Sequence, residues 1–149
     1  MADMISTVFE TNEERFQRCY LEARGYHWRA NKFHEEEKRV SLIFNVAAMA
    51  IESYLIALCA FHNVMPLNHS YRCLMFDVKK LENIAVDLEN QIISLDKIFG
   101  ICSLDNYFHG NPTIDDMLNS LDVCEKIYAI FAKKELNVND IYSTIVNKE

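Results

Sequence analysis

The hydrophobic pattern of the chain is clearest over residues 38–62. Between positions 42 and 61 the only formally charged side chain is Glu52. Apolar residues recur there at steps of three and four, which is typical of a buried helix: Ile43, Val46, Ala47, Ala50, Tyr54, Ala57, Leu58 and Phe61. A second apolar face is formed by Leu42, Met49, Leu55, Ile56 and Cys59. We therefore expect this helix to be central in a bundle, or to meet a partner as well.

The same periodicity predicts helices along most of the chain. Helix 1 is expected over about residues 5–28, helix 2 over 35–63, helix 3 over 70–99 and helix 4 from Thr113 through Phe131, with a short last helix over 137–146. No strand-like alternation is seen. Two helices of about 30 residues, each about 45 Å long, fit an all-α, antiparallel up-and-down four-helix bundle with a short extra C-terminal helix.

Local signals place the ends of these helices. Gly25 is a possible early end or kink of helix 1, and Pro66 disfavours helix in the residue before it. The acidic run at positions 35–37 is expected to complement the positive start of helix 2. Gly100 is a plausible C-cap of helix 3, and the Thr113 hydroxyl is expected to cap helix 4.

Composition narrows the class of protein. A chain of 149 residues with 3 glycines and 2 prolines favours one domain, residues 1–149, made of long helices. Its five cysteines are scattered and odd in number, and residues 1–10 lack the features of a signal peptide. We therefore expect a reduced, cytoplasmic protein. Polar residues interrupt the apolar run of helix 2, so no membrane span is expected.

The net charge of −7 is unevenly distributed. Residues 1–76 hold eight basic and nine acidic side chains, and residues 77–149 hold seven basic and thirteen acidic ones. An acidic second half argues against broad nucleic-acid binding, because that binding needs many cations to neutralise phosphates. A local contact to RNA stays open.

Two groups of residues suggest ligand chemistry. Cys59, His62, His69 and Cys73 flank the turn between helices 2 and 3 and would bring four zinc-type ligands together. The simpler interpretation is that the cysteines are core residues and the histidines flank the turn, so no metal or other cofactor is expected. The chain has no pair of Glu-x-x-His motifs, which excludes a di-metal bundle of the ferritin type.

Aromatic and basic residues cluster near the predicted end of helix 1, at Tyr26, His27, Trp28 and Arg29. Stacking and charge there would suit a base or nucleotide. The simpler interpretation is that Tyr26 and Trp28 pack against the end of the bundle while the charges are solvated.

Three further positions are candidates for a site. His109, in the polar and aromatic loop that also holds Tyr107, is a possible general acid or base. Asn45 and Glu52 share a narrow polar edge of helix 2 with Ser41. That edge either faces solvent or forms the polar lining of a groove.

The pattern of helix 2 resembles the HEPN domain family over about residues 38–132. The resemblance is carried by Ser41, Phe44, Asn45, Ala47, Ala50, Ile51, Glu52, Tyr54, Leu55, Ala57 and Leu58, then by Pro66 and His69, and later by Asp105, Tyr107, Pro112, Thr113 and residues 121–131. It implies a helical bundle that dimerises. Many HEPN members are RNases or toxins coupled to minimal nucleotidyltransferases, and others are non-catalytic binding modules.

The chain departs from the catalytic HEPN pattern. Catalytic members resemble one another in an Arg followed by four to six residues and a His at the start of the last core helix. Here His109 is present, but no arginine follows Arg72, and the spacing from Arg29 to His34 falls in the wrong element.

We therefore expect a non-catalytic HEPN-like module that self-associates, as a homodimer, and binds a protein partner such as a minimal nucleotidyltransferase, or a nucleotide or RNA. A toxin–antitoxin system is a possible setting. Asn45, Glu52, His69 and Tyr107 are the expected binding residues. The alternative is a divergent RNase-like enzyme using His109. The dimer interface is expected on the second face of helix 2, where Ile56→Glu would favour the monomer.

Overall fold

A computed structural model describes residues 10–98 and 110–134, and within these ranges the chain is all helical, with no strand. The α-helices are α1 (Asn12–Glu35), α2 (Val40–Phe61), α3 (Tyr71–Leu81), α4 (Val86–Ile93) and α5 (Ile114–Lys133), and a 3₁₀ turn (Ser94–Lys97) follows α4. The all-α class is confirmed.

Helix α2 is the central helix, as its apolar pattern predicts. It packs against α1, α3 and α5, and fourteen of its 22 residues are buried. Many of these are small, which lets neighbouring backbones approach closely: Ala47, Ala48, Ala50, Ala57 and Ala60. The larger core side chains of α2 include Phe44, Tyr54 and Leu58, all fully buried.

The α1 and α2 helices form an antiparallel pair. A four-residue turn joins them, and the ring of Phe16, in the second turn of α1, lies 5.5 Å from the ring of Phe61 at the end of α2. In this turn Glu37 adopts a positive φ of 57°. The long faces of the two helices therefore cover each other along most of their length.

Helices α2 and α5 run in the same direction. The Cys124 Sγ donates a hydrogen bond to the Ala47 carbonyl at 3.5 Å, and about two turns later the Phe131 ring lies 5.6 Å from the Tyr54 ring. Since α1 is antiparallel to α2, it is also antiparallel to α5.

Helix α3 also runs in the same direction as α2. The Tyr71 hydroxyl, at the start of α3, donates to the Ala48 carbonyl at 2.8 Å. Beyond the other end of α3, Glu82 lies 2.8 Å from Nε2 of His62, just past the end of α2. The chain therefore doubles back along α2 between residues 62 and 70. Successive helices do not alternate in direction at this point, as they would in a simple up-and-down bundle.

The bounds of the first two helices differ from the prediction: helix α1 begins and ends later than expected, and helix α2 begins later but ends two residues earlier, at Phe61. Helix α1 continues past Gly25 and Trp28 to Glu35, because the buried positions of its stripe continue through His27 and Ala30. The described chain begins after residues 5–9, which lie outside the described ranges. The acidic run at positions 35–37 ends α1 and enters the turn, so it does not begin helix 2, and the first turn of α2 holds no acidic residue.

The predicted third helix is divided. Helix α3 ends at Leu81, and Glu82 is extended, with φ −132° and ψ 150°. Helix α4 starts at Val86 after a non-helical segment. Ser70 caps α3 by accepting a hydrogen bond from the Cys73 amide. The proposed cap at Gly100 and the short helix over 137–146 lie outside the described residues.

The predicted start of the last core helix is confirmed. The Thr113 hydroxyl accepts from the Asp116 amide at 3.1 Å, and the Asp116 carboxylate accepts from the Thr113 amide at 2.8 Å. This reciprocal pair is a capping box. It begins a helix whose buried stripe includes Met117, Cys124 and Phe131.

Helix α2 is also the one helix of the described ranges that is long and apolar enough to cross a membrane by length and composition. In this fold 72% of its most apolar stretch is buried inside the protein. The core of a helical domain accounts for this burial. The cysteines at positions 19, 59, 73 and 124 are free thiols.

Candidate functional site

A groove of about 470 Å³ runs between α1, α2 and the segment that doubles back along α2. We call it the α1–α2 groove. Its floor is the least buried strip of α2, which includes Met49, Glu52 and Ile56, and one wall is the segment around Pro66 and His69. The other wall comes from Glu10, two residues before α1, and from residues of α1 itself: Arg15, Arg18, Cys19, Glu22 and Tyr26.

The groove brings together two residues that the sequence singles out. Nδ1 of His69 lies 3.4 Å from Oε1 of Glu52. The Glu52 side chain is 23% exposed and that of His69 is 42% exposed, so the pair sits at the groove surface. The geometry therefore favours the interpretation that Glu52 belongs to the polar lining of a groove. Asn45, two turns before Glu52 on α2, is half-buried and does not line the groove.

The α1 wall carries charges that the sequence did not assign to a site. Glu10 accepts two hydrogen bonds from the Arg18 guanidinium, at 2.7 and 3.0 Å, and lies 3.5 Å from Arg15. The hydrogen bond from Arg18 holds the pKa of Glu10 below its usual value, although burial opposes this. Arg18 also lies 3.5 Å from Glu22. Both arginines of the wall are therefore already paired with carboxylates.

The candidate zinc ligands do not converge. Nε2 of His62 lies 2.8 Å from Glu82, whereas His69 faces Glu52. Cys59 is fully buried in the core, and burial raises the pKa of its thiol to about 11. Within residues 10–98 and 110–134, no three His, Cys, Asp or Glu side chains lie close enough to hold a metal ion. His109 and Tyr107 lie outside the described residues.

A second polar cluster joins α1, α2 and α5, and the sequence did not predict it. His27 is 2% exposed. Its Nδ1 lies 2.8 Å from the Tyr54 hydroxyl, and its Nε2 lies 2.9 Å from Oε1 of Glu125. Arg24 donates to the same Tyr54 hydroxyl at 3.1 Å and stacks on the Tyr128 ring at 3.8 Å.

The donors of this cluster follow a single order. Because the Glu125 carboxylate only accepts, a neutral His27 carries its proton on Nε2, so Nδ1 accepts the Tyr54 hydroxyl proton and the Tyr54 oxygen accepts from Arg24. Nε2 of His27 then donates to Glu125. Burial lowers the pKa of His27, which the Glu125 carboxylate opposes. Burial also raises the pKa of Tyr54 above its usual value, against the effect of Arg24. When His27 is neutral, every polar group of this cluster has a hydrogen-bond partner.

The signal for His27 is present in the sequence. Its position continues the apolar stripe of α1 that includes Tyr20 and Ala23, one turn further on. Its neighbour Trp28 is 66% exposed, so the interpretation in which Trp28 packs against the end of the bundle is wrong. Tyr26 is half-buried at the α1–α2 groove instead.

Comparisons of the chain with protein-family models, curated proteins and solved structures return no match. The resemblance to HEPN domains therefore stays a prediction.

Proposed function

We propose that the chain is a non-catalytic, HEPN-like module with a four-helix core that self-associates in the cytoplasm and binds a protein partner through the α1–α2 groove. The observation that supports this proposal is the meeting of Glu52 and His69 beside Met49 and Ile56 in that groove. A concave site that combines apolar floor residues with a few polar groups is typical of ligand-binding pockets.

The charges of the groove favour a protein segment over a nucleotide. Three carboxylates, Glu10, Glu22 and Glu52, line it against two guanidinium groups, Arg15 and Arg18. Both arginines are paired with Glu10, so neither is free to neutralise a phosphate. A nucleotide site needs cations for its phosphates, whereas an apolar side chain next to a lysine or arginine suits this lining.

The partner that this proposal describes is a peptide segment with an apolar anchor next to a basic residue. The anchor would pack on Met49 and Ile56, and the basic group would face Glu52. A minimal nucleotidyltransferase encoded beside this chain, as in a toxin–antitoxin pair, is the partner class that the HEPN resemblance suggests.

The proposal is tested by selecting binders from a phage-displayed library of random linear peptides on the full-length chain. Selected peptides are then titrated by fluorescence anisotropy. We expect an apolar–basic consensus, with binding weakened about tenfold or more by Ile56→Glu and less by Glu52→Gln, because the buried anchor contributes more than a rim charge.

A matched control is Phe76→Ala, since Phe76 is 63% exposed on α3 and does not line the groove. Equal affinity of the selected peptides for the unmutated chain and Ile56→Glu would remove the groove from the function. Adenosine monophosphate that raises the melting temperature of the unmutated chain, but not that of Glu52→Gln, would favour the nucleotide instead.

A further inference from the structure

The outer flank of α1 carries an exposed tryptophan between two cations. Arg24, Trp28 and Lys32 follow one another at steps of four residues, so they share one face of the helix. Trp28 is 66% exposed although it lies in the middle of a long, well-formed helix. Arg24 is fixed beside it by the hydrogen bond to Tyr54. Glu35, on the same face, lies 3.9 Å from Lys32, so this flank offers a rigid aromatic anchor with two cations and one carboxylate around it.

The neighbouring flank of α5 carries exposed aliphatic residues among carboxylates. Ile114 is 62% exposed and Leu118 is 46% exposed. Asp115, Asp122 and Glu125 are exposed at positions that fall on the same side of the helix. Lys126 pairs with Asp122 at 2.9 Å, so this flank offers apolar surface with three carboxylates and one cation around it.

The two flanks form one continuous surface, which we call the α1–α5 face. The Arg24 guanidinium lies 3.8 Å from the Tyr128 ring centre, and His27 reaches Glu125 at 2.9 Å, so these sides of the two helices adjoin. The face is about 30 Å long and about 20 Å wide. That is the order of size of a standard interface, which buries about 800 Å² on each partner.

We propose that two copies of this chain associate through the α1–α5 face about a two-fold axis, with Trp28 of each copy packed on Ile114 and Leu118 of the other. In such an interface the same patch serves both copies, and residue i of one copy contacts residue j of the other and the reverse. A patch with a cationic, aromatic half and an anionic, aliphatic half is complementary to itself under this rotation. Lys32 of one copy then faces the α5 carboxylates of the other.

This inference rests on the self-association in the proposed function and moves its interface from α2 to α1 and α5. Leu55 of the second apolar face of α2 is 1% exposed and belongs to the core of its own chain. Met49 and Ile56 are half-buried on the floor of the groove. A recessed floor admits an inserted side chain more readily than a second globular surface, so the groove is left free for the partner.

The charges of the face favour a second copy over a nucleic acid. The α5 flank has a net negative charge, since three carboxylates outnumber Lys126, and the α1 flank has a net positive charge, since two cations outnumber Glu35. Several of these groups already have partners in their own chain, namely Arg24 with Tyr54, Lys32 with Glu35, Asp122 with Lys126 and Glu125 with His27. Phosphates would be repelled by the carboxylates. A second copy presents both signs of charge and satisfies both halves.

The test is a mixing experiment on the full-length chain, read by light scattering at tens of micromolar. We expect the unmutated chain to have the mass of a dimer. Trp28→Lys alone and Leu118→Glu alone each break both symmetric contacts, so each should raise the dissociation constant about tenfold or more. An equimolar mixture of the two variants should regain dimer mass, because one contact is then intact and the other pairs the two new opposite charges.

Two controls separate this interface from others. Ile56→Glu in the groove and Phe76→Lys on α3 should both leave the dimer mass unchanged. Circular dichroism of each variant checks that it is folded, and Lys32→Glu, a change at an exposed position, provides a second variant that should weaken the dimer.

The results that would contradict this proposal lead to different conclusions. A dimer that withstands Trp28→Lys and Leu118→Glu, or that Ile56→Glu dissociates, overturns the α1–α5 interface but leaves self-association in place. A monomer mass for the unmutated chain overturns self-association itself, while the groove is judged separately by its peptides. A single-stranded RNA that binds the unmutated chain and not Trp28→Lys would assign the face to nucleic acid.

Discussion

At the scale of single residues, the buried chain of hydrogen bonds from Arg24 through Tyr54 and His27 to Glu125 has a consequence for stability. Protonation of His27 would place a donor on Nδ1, facing a hydroxyl that already accepts from Arg24. It would also put a second positive charge next to that guanidinium. The other groups facing His27 are Tyr128, whose ring lies at its edge, and the Glu125 carboxylate, which alone favours the charged form.

We therefore predict that the free energy of unfolding decreases on mild acidification. The pKa of His27 is lower in the folded chain than its usual value of about 6.5, so the unfolded state takes up the proton first. The stability due to neutral His27 is complete above about pH 6.5 and is lost as the pH falls through the folded pKa. Urea denaturation at about pH 7.5 and about pH 5.5 measures the difference.

His27→Gln should flatten this dependence, because it removes the buried titrating group. His34→Gln provides the matched control, since His34 is an exposed histidine on the same helix. If His27→Gln kept the full pH slope, another group would be responsible for it.

The burial of two members of this cluster, His27 and Tyr54, could be predicted from the sequence. The register of α1 reaches His27 from Ala23, and Tyr54 belongs to the apolar stripe of α2, so both are placed on buried faces. Glu125 is 98 residues from His27 in the chain and is 61% exposed at its side chain. No local pattern marks such a pairing, because it depends on how α5 packs against α1.

At the scale of helices, the ends that depend on neighbouring residues were predictable. We expect Thr113→Ala to lower the free energy of unfolding by about 1 kcal/mol, because the Asp116 amide loses its side-chain acceptor. Urea denaturation of the full-length chain measures the loss.

Thr113→Ser keeps the hydroxyl oxygen and should restore most of this stability. If the serine variant were as unstable as the alanine variant, the loss would come from the Thr113 methyl group and not from the cap.

The division of the predicted third helix could not be predicted, because it depends on residues that are distant in the sequence. Residues 82–85 contain no glycine or proline, so nothing local stops the helix there. Glu82 instead turns to His62 at 2.8 Å and pairs with Lys134, both from other elements. Those hydrogen bonds lower the pKa of Glu82 in spite of its partial burial. A tertiary contact thus ends a helix that local propensity would continue.

At the scale of the whole molecule, the distribution of cations leads us to expect no catalysis on RNA. The chain has no arginine after Arg72. In the groove the two arginines are paired with Glu10, and Arg24 is committed to Tyr54. A phosphate transition state needs positive charge directed at it. We therefore predict no cleavage of a fluorescently labelled single-stranded RNA by the purified chain above the buffer background.

His109→Ala should give the same background as the unmutated chain, and an added pancreatic-type ribonuclease confirms that the RNA can be cut. Cleavage that disappears in His109→Ala and persists in His34→Ala would instead support the alternative of a divergent ribonuclease.

The order of the helices and the central place of α2 followed from periodicity, because burial on two faces requires neighbours on two sides. The directions of the helices did not. The stretch with Pro66 indicated only a break, whereas the chain there returns along α2 and makes α3 parallel to it. The groove lies against this returning segment. The candidate site could therefore not be predicted from periodicity, which does not give the directions of the helices.

The fully buried alanines of α2 have a consequence for how far chains of this kind can diverge. Any larger side chain at Ala47, Ala50 or Ala57 would force apart helices that now touch, at a cost of about 1–3 kcal/mol. The outer helices need only an apolar residue of suitable size at each inward position. Substitutions can therefore accumulate over most of the sequence while the spacing of small residues in one helix persists. A distant relative would share with this chain the spacing of small and large side chains, but few identical residues.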